Sequence, residues 1–330
     1  MIRQMRIAII GQGYVGLTIS VGALSAGHEV VGVDLSDSLV AALKSGKSHI
    51  EGISDEDLAS GLKSGRYLPT TDYKDVIGCE IVVIAVPTPL DGKGGPNLSL
   101  LESAADSLSS ILSSRVLIIN ESTSHPGTLR EVIRPRIEGK TSHGHLYAIS
   151  PERVDPGNAK FGTRNTPRTV GGLSDEARDK AVEFYRTFCD NVVPVSSAEV
   201  AEAAKLLENT FRFINIGLVN EFAQIMSAMN IPVDEVLKAA GTKPYGFMPF
   251  HPNVGIGGHC IPVDPLYLQA KASEFGLESR YIALSEQINH EMPLFVIKRL
   301  KEEFGDIAGK NILVVGVSYK ADISDTRETP

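Results

Sequence analysis

Residues 11–16 read Gly-Gln-Gly-Tyr-Val-Gly, directly after the short apolar run Arg6–Ile10 and directly before a stretch with helical spacing. A GxGxxG turn alone is weak evidence. Here the surroundings complete a strand–turn–helix–strand unit, because a second apolar run, Glu29–Val33, leads into Asp34. In such a unit Gly11 permits the tight turn, Gly13 lets a pyrophosphate approach the backbone, and Gly16 lets helix and sheet pack closely. The start of the helix, at Tyr14 and Val15, offers backbone N–H donors and partial positive charge to phosphates. An acidic residue at position 34 suits ribose hydroxyls and repels a 2′-phosphate, so NAD is expected in preference to NADP. The alternative is a glycine-rich turn in an α/β domain that binds no nucleotide.

The pattern continues beyond that unit. Short β-branched runs at 81–86, 116–119, 146–149, 169–171 and 192–195 alternate with helical stretches such as 98–112 and 175–188. Alternation of this kind predicts a Rossmann-like, doubly wound parallel sheet with helices on both faces. Ligands of open parallel sheets bind outside the carboxyl ends of the strands. Three polar clusters fall at such ends: Pro87-Thr88-Pro89, Glu121-Ser122-Thr123 and Ser150-Pro151-Glu152-Arg153. Each alone could be turn chemistry; three on one rim suggest a pocket wall.

After Ser197 the period changes. Over 199–230 only Gly217 weakens a helix, and Val200, Ala204, Leu207, Phe211, Ile214, Leu218, Phe222 and Ile225 recur in steps of three and four. That is one helical stripe. A helix of this length, on the order of 45 Å, must bury the stripe against other helices or a second subunit. Further helices are expected at 234–240, 265–275 and 279–300. Residues 312–317 then read as a fresh buried strand. The sequence stops at Pro330, before a crossover helix and a second parallel strand could follow. The expected organisation is therefore a nucleotide-binding domain over 1–198, a helical domain over 199–308 with a long central helix, and the truncated start of a second Rossmann-like domain over 309–330.

Net charge is −8 over 330 residues, which argues against a nucleic-acid partner but not against an anionic small substrate. No apolar run is long enough for a membrane span, and the first is too short for a signal peptide. Three cysteines give no disulfide framework and suit a reducing compartment, so a cytoplasmic protein is expected. No cluster has metal-site spacing.

Cys79 and Cys189 sit among apolar residues and read as core filler. Cys260 differs: it stands in Gly255-Ile256-Gly257-Gly258-His259-Cys260-Ile261-Pro262-Val263-Asp264, a glycine-shaped, proline-flanked loop. A thiol presented there is accessible and can be activated by nearby positive charge. A structural cysteine is the competing reading. His259 is either a base or a polar residue directed at the backbone. Lys205, Asn209 and Arg212 share one face of the long helix. Arg212 suits a solvated face, whereas Lys205 and Asn209 either share that face or point at the cofactor cleft.

These residues together resemble the UDP-glucose/GDP-mannose dehydrogenases. The resemblance runs through GQGYVGL at 11–17, VPTP at 86–89, ESTSHPGT at 121–128 and SPERVDPGN at 150–158. It continues through KLLENTFR at 205–212 and GIGGHCIPVDP at 255–265, and ends in GVSYKADISDTRETP at 316–330. It implies an NAD-dependent, four-electron oxidation of a sugar C6 alcohol to a carboxylate, with Cys260 capturing the aldehyde as a thiohemiacetal that becomes a thioester. By motif position Glu152 is the general base, Thr123 and Asp264 orient water, and Lys205 and Asn209 stabilise oxyanions. Thr88, Glu121 and Thr123 face the cofactor. Arg153, Gly257, Lys320 and Arg327, with Glu152, Lys205 and Asn209, meet the nucleotide sugar. The SPER stretch and the GGHC loop are most similar to members acting on UDP-N-acetylhexosamines. His125 departs from the family pattern and carries no assigned role.

Three alternatives remain at this point. One is a UDP-glucose or GDP-mannose 6-dehydrogenase. Another is a β-hydroxyacid dehydrogenase, which needs no thiol. The third is a non-catalytic NAD- or nucleotide-sugar-binding protein. A homodimer through the long helix is expected.

Overall fold

The computed structural model describes residues 3–139, 143–154, 158, 160–320, 326–327 and 329. It divides into two compact units, Met1–Lys205 and Leu206–Pro330.

The first unit is built on one eight-stranded sheet. Its strands are β1 (Arg6–Ile10), β2 (Glu29–Val33), β3 (Tyr67–Thr70), β4 (Ile81–Ile84), β5 (Leu117–Asn120), β6 (Leu146–Ile149), β7 (Arg168–Gly172) and β8 (Val192–Pro194). The spatial order is β3-β2-β1-β4-β5-β6-β7-β8. Every pairing is parallel except β6 with β7. The order reverses between β1 and β4, the switch point at which such sheets take their ligands. The central strands are buried on both faces, as their unbroken Ile/Val runs require. The helices α1 (Tyr14–Ser25), α2 (Asp37–Lys44), α3 (Asp55–Lys63), α4 (Ser99–Ile111), α5 (Arg134–Glu138) and α6 (Asp175–Tyr185) connect them. Two apolar clusters, one on each side of the sheet, form the core.

Seven of these strands follow the sequence reading to within a residue or two. β3 does not: its Tyr-Leu-Pro-Thr carries a proline, which argues against a central strand. It is tolerated because β3 lies at the sheet edge and pairs only with β2.

The helix α7 (Ala198–Ala228) crosses from the first unit into the second, which continues with α8 (Val233–Gly241), α9 (Asp264–Glu274) and α10 (Arg280–Phe304). Gly217, the one residue of α7 that weakens a helix, serves close packing: a Cβ there would come within 2.9 Å of the Ser285 hydroxyl on α10.

One expectation is narrowed and one is corrected. Of the two covers expected for the apolar stripe of α7, other helices of the chain leave Leu207 and Leu218 64% and 61% exposed, with Val200, Phe211 and Ile225 exposed beside them. The buried line lies on another face, through Glu202, Leu206, Asn209, Phe213 and Asn220. Residues 312–317 form no strand; Leu313, Val314 and Val315 are more than three-quarters exposed. A β-branched run becomes a strand only beside a partner, and among the described residues none lies alongside.

Candidate active site

The dinucleotide turn is shaped by what its glycines lack. Gly11 has φ +90°, and a Cβ on it would strike the Ala85 carbonyl beyond β4. A Cβ on Gly16 would overlap the Gly11 carbonyl oxygen. Around Gly13, by contrast, nothing lies within 4 Å of a Cβ position, and Gly13 caps α1 without a side-chain bond. The first turn of α1, at Tyr14 and Val15, holds no acidic residue. An open approach to a helix N-terminus fits a pyrophosphate. Asp34 lies at the end of β2, where its carboxylate accepts from the Gln12 N–H at 2.8 Å and the Ser36 N–H at 2.9 Å. A carboxylate has about four acceptor positions, so capacity for ribose hydroxyls remains. Gln12 itself is fully buried, with its Oε1 accepting from Tyr67 and Ser20. These residues fit NAD.

The neighbouring strand ends are knit into one rim. The Val86 N–H donates to Ser122 Oγ at 2.9 Å, and the Ser150 N–H donates to the Asn120 carbonyl at 3.0 Å. Thr88 and Thr123 are half-buried there. Beyond β5 and β6, Glu121 and Glu152 are buried and both are held by Arg168, from the start of β7. Arg168 Nη1 donates to Glu121 at 2.6 and 2.7 Å, and Nη2 donates to Glu152 Oε2 at 2.6 Å. The other oxygen of Glu152 accepts the N–H groups of Arg153 and Val154, each at 2.7 Å. Burial alone would raise the Glu152 carboxyl; the guanidinium and the two amides outweigh it and hold Glu152 below the usual glutamate range. Burial wins at Glu121, which is pushed up to about 7 despite Arg168.

The next loop is fastened from α7. Glu202, buried, accepts the Gly127 N–H at 2.7 Å and the Leu129 N–H at 3.1 Å, together with the Ser124 hydroxyl at 3.3 Å. It thereby anchors the segment carrying Thr123. His125 faces the Thr128 hydroxyl at 3.1 Å within the same turn.

In the second unit the Cys260 loop is pinned by carboxamides. Asn220 Oδ1 accepts the Asn253 N–H at 2.9 Å, and Asn289 Oδ1 accepts the Ile256 N–H at 2.6 Å. The Cys260 carbonyl accepts the Asp264 N–H at 2.8 Å at the start of α9. Asp264, 1% exposed, accepts from Asn209 Nδ2 at 2.6 Å. Gly258 has φ +83°, and a Cβ on it would come within 2.9 Å of the Tyr319 ring. Arg327 reaches the same loop: its carbonyl accepts the Gly258 N–H at 3.0 Å, and its Nη2 lies 3.0 Å from His259 Nδ1. Gly257, Cys260 and Lys320 are half-buried. Cys260 is thus the accessible thiol of the three, since burial pushes Cys79 and Cys189 each up to about 11. Lys205 stands one turn before Asn209 on α7, and Arg212 is exposed.

The first unit therefore gathers the glycine turn, Asp34, Glu121, Glu152 and Arg153. The second gathers Asn209, Gly257, Cys260, Asp264 and Arg327. Asp155, Pro156 and Gly157 of the SPERVDPGN motif and residues 321–325 of the last motif lie outside the described residues. Sequence reasoning missed Arg168, Gln12, Glu202, Asn220 and Asn289, and Tyr185, whose hydroxyl donates to Glu121. The signal for Arg168 is a charge at the head of a strand otherwise apolar, because a buried charge demands a partner. Among the described residues no group of acidic, histidine and cysteine side chains could hold a metal ion, and no helix is long and apolar enough to cross a membrane.

The fold and turn define a dinucleotide-binding protein of the doubly wound α/β class. Residues 5–189 match the NAD-binding domain of the UDP-glucose/GDP-mannose dehydrogenase family, and residues 199–291 match its central domain. The chain belongs to this family of NAD-dependent nucleotide-sugar dehydrogenases. It is 37% identical to a UDP-N-acetyl-D-mannosamine dehydrogenase of Pyrococcus horikoshii, over 99% of this chain and 79% of the relative. It is 33% identical to a UDP-N-acetyl-D-glucosamine 6-dehydrogenase of Pseudomonas aeruginosa, over 99% of this chain and 78% of the relative. The solved structure of a UDP-D-ManNAc dehydrogenase from Pyrococcus horikoshii superposes with a TM-score of 0.90 at 34% identity, covering 98% of this chain and 78% of that one.

Proposed function

We propose that the chain oxidises the C6 alcohol of a UDP-N-acetylhexosamine to the uronate, with Cys260 as the covalent nucleophile. The observation that carries this reading is Cys260 itself, an accessible thiol on a loop pinned through Asn220, Asn289 and the Asn209–Asp264 bond. A bond-forming atom must be held in place to react, and a glycine-shaped loop with anchored ends does so. The names of the relatives and the SPER and GGHC motifs support the N-acetylhexosamine class.

Two NAD molecules, bound in turn, would each take one hydride of the four-electron oxidation. Asp34 holds the ribose end of each, the turn at Gly11, Gly13 and Gly16 receives its phosphates, and Thr88 and Thr123 line its approach, with Glu121 buried behind them against Arg168. The alcohol loses one hydride and one proton and becomes an aldehyde. The Cys260 thiolate adds to the aldehyde carbon, forming a thiohemiacetal. Loss of the second hydride leaves a thioester, and water releases the carboxylate and restores the thiol. Glu152, ionised and fixed, accepts protons from the thiohemiacetal hydroxyl or the attacking water. Lys205 and Asn209 stabilise the oxyanions, and Thr123 and Asp264 orient the water. Arg153, Gly257, Lys320 and Arg327 bind the nucleotide sugar.

The exposed stripe of α7 at Val200, Leu207, Phe211, Leu218 and Ile225 supports a homodimer through that helix, since apolar rows of this length on a soluble enzyme mark an interface. A catalytic thiol suits the reducing cytoplasm. A nucleotide-activated uronate is a sugar donor, which puts polysaccharide assembly downstream.

Incubation with a panel of UDP-N-acetylglucosamine, UDP-N-acetylmannosamine, UDP-glucose and GDP-mannose tests the assignment, counting NADH formed per sugar. Two NADH per UDP-N-acetylhexosamine, with the other sugars slower, is expected. Preference for UDP-glucose or GDP-mannose, or one NADH per sugar, contradicts it.

A further inference from the structure

Arg168 is almost wholly buried, and each face of its guanidinium environment is charged or aromatic. From β5, Glu121 takes Nη1 through both carboxylate oxygens; from beyond β6, Glu152 takes Nη2. Ser150 Oγ lies 3.2 Å from Nη1. From α6, the Tyr185 ring centroid lies 4.7 Å from the guanidinium carbon, and the Tyr185 hydroxyl donates to Glu121. Cys189, following α6, also faces the cluster. One cation thus serves two buried carboxylates. Two buried anions beside one cation leave an excess negative charge, which a low-dielectric interior resists. The cluster relieves it by keeping a proton on Glu121 near neutrality, while Glu152 stays ionised.

We propose that Arg168 is a positioning residue for the oxidation, fixing Glu152 in orientation and charge while Glu121 takes up the remaining donors of the same guanidinium. This rests on the role proposed above for Glu152. A rigid fork across the ends of β5 and β6 does what a lysine cannot, because it meets both carboxylates in fixed geometry. Orientation and charge are separable contributions. Arg168→Lys keeps the charge and loses the fork. Arg168→Met with Glu121→Gln removes the guanidinium and the second titrating carboxyl together, so the charge of Glu152 is read without either, and the thermal melts show whether the fold persists.

The test measures kcat and KM for the nucleotide sugar from pH 3.5 to 9, with thermal melts, for these two variants and for Glu152→Gln. In Arg168→Lys kcat falls at least about tenfold with KM little changed, and the acidic limb of the profile stays in place. In Arg168→Met/Glu121→Gln the limb moves up by about one pH unit or more, because Glu152 has lost the cation that holds it ionised. The proposal is overturned if both variants keep the wild-type limb and kcat, or if only the melting temperature changes. Glu152→Gln separates the two levels: wild-type turnover there contradicts the role of Glu152. A carboxyl ¹³C titration of Glu152 in the double variant reads the charge coupling without activity, and an unmoved titration overturns it.

Discussion

Asn209 donates from Nδ2 to Asp264 Oδ2 at 2.6 Å, joining the middle of α7 to the first residue of α9, four positions beyond Cys260. Both side chains are buried, so removing Asn209 takes a donor from a buried carboxylate. Asn209→Ala is expected to destabilise the protein by about 1–3 kcal/mol, the range for a lost hydrogen bond to a buried charged group. Asp264→Asn keeps an acceptor at the same place and should cost less. Urea unfolding of both variants checks this; equal losses would mean that the bond is not the source of the effect.

Asp34 is expected to set cofactor choice. In Asp34→Ala the ribose loses its acceptor and the turn loses the bonds from Gln12 and Ser36. NAD should bind more weakly, and the preference for NAD over NADP should narrow. Calorimetry with both cofactors reads this directly. Equal use of NAD and NADP by the unmodified enzyme would show that Asp34 does not face the ribose.

Glu202 carries a pH signature. Burial pushes its carboxyl from the ordinary 4.5 up to about 7, although Gly127, Leu129 and Ser124 pull the other way. The folded state therefore holds a proton that the unfolded chain releases. The associated stability is full below about pH 4.5 and is lost as pH rises through about 7. Unfolding free energies at intervals from pH 5 to 8 should fall less steeply in Glu202→Gln than in the wild type. The same slope in both would assign the proton elsewhere.

The stripe of α7 yields a test of assembly. Leu218→Asp places a charge within the exposed row and should shift a dimer to monomer by sedimentation, with NAD binding retained. A dimer that survives this substitution uses another face.

Much of the first unit was legible because parallel strands buried on both faces write themselves as Ile/Val runs, and because the glycine turn has one stereochemical purpose. The edge strand at Tyr67–Thr70 was hidden by Pro69, which only its position at the sheet edge excuses. The stripe on α7 was legible as a period but not as a burial: spacing fixes which residues share a face, whereas the neighbours decide whether that face is covered. Residues 312–317 carry strand propensity without a partner. Within the site, Cys260 stood out by its glycines. Arg168, Asn220 and Asn289 did not, since a single polar residue reveals itself as a clamp only when the groups it holds, tens of residues away, are brought beside it.

The most direct test of the account is product analysis of Cys260→Ala incubated with NAD and UDP-N-acetylglucosamine or UDP-N-acetylmannosamine, with NAD affinity measured alongside. The account predicts normal NAD binding and no carboxylate, since no thioester can form. Sugar acid produced at near the wild-type rate would contradict it.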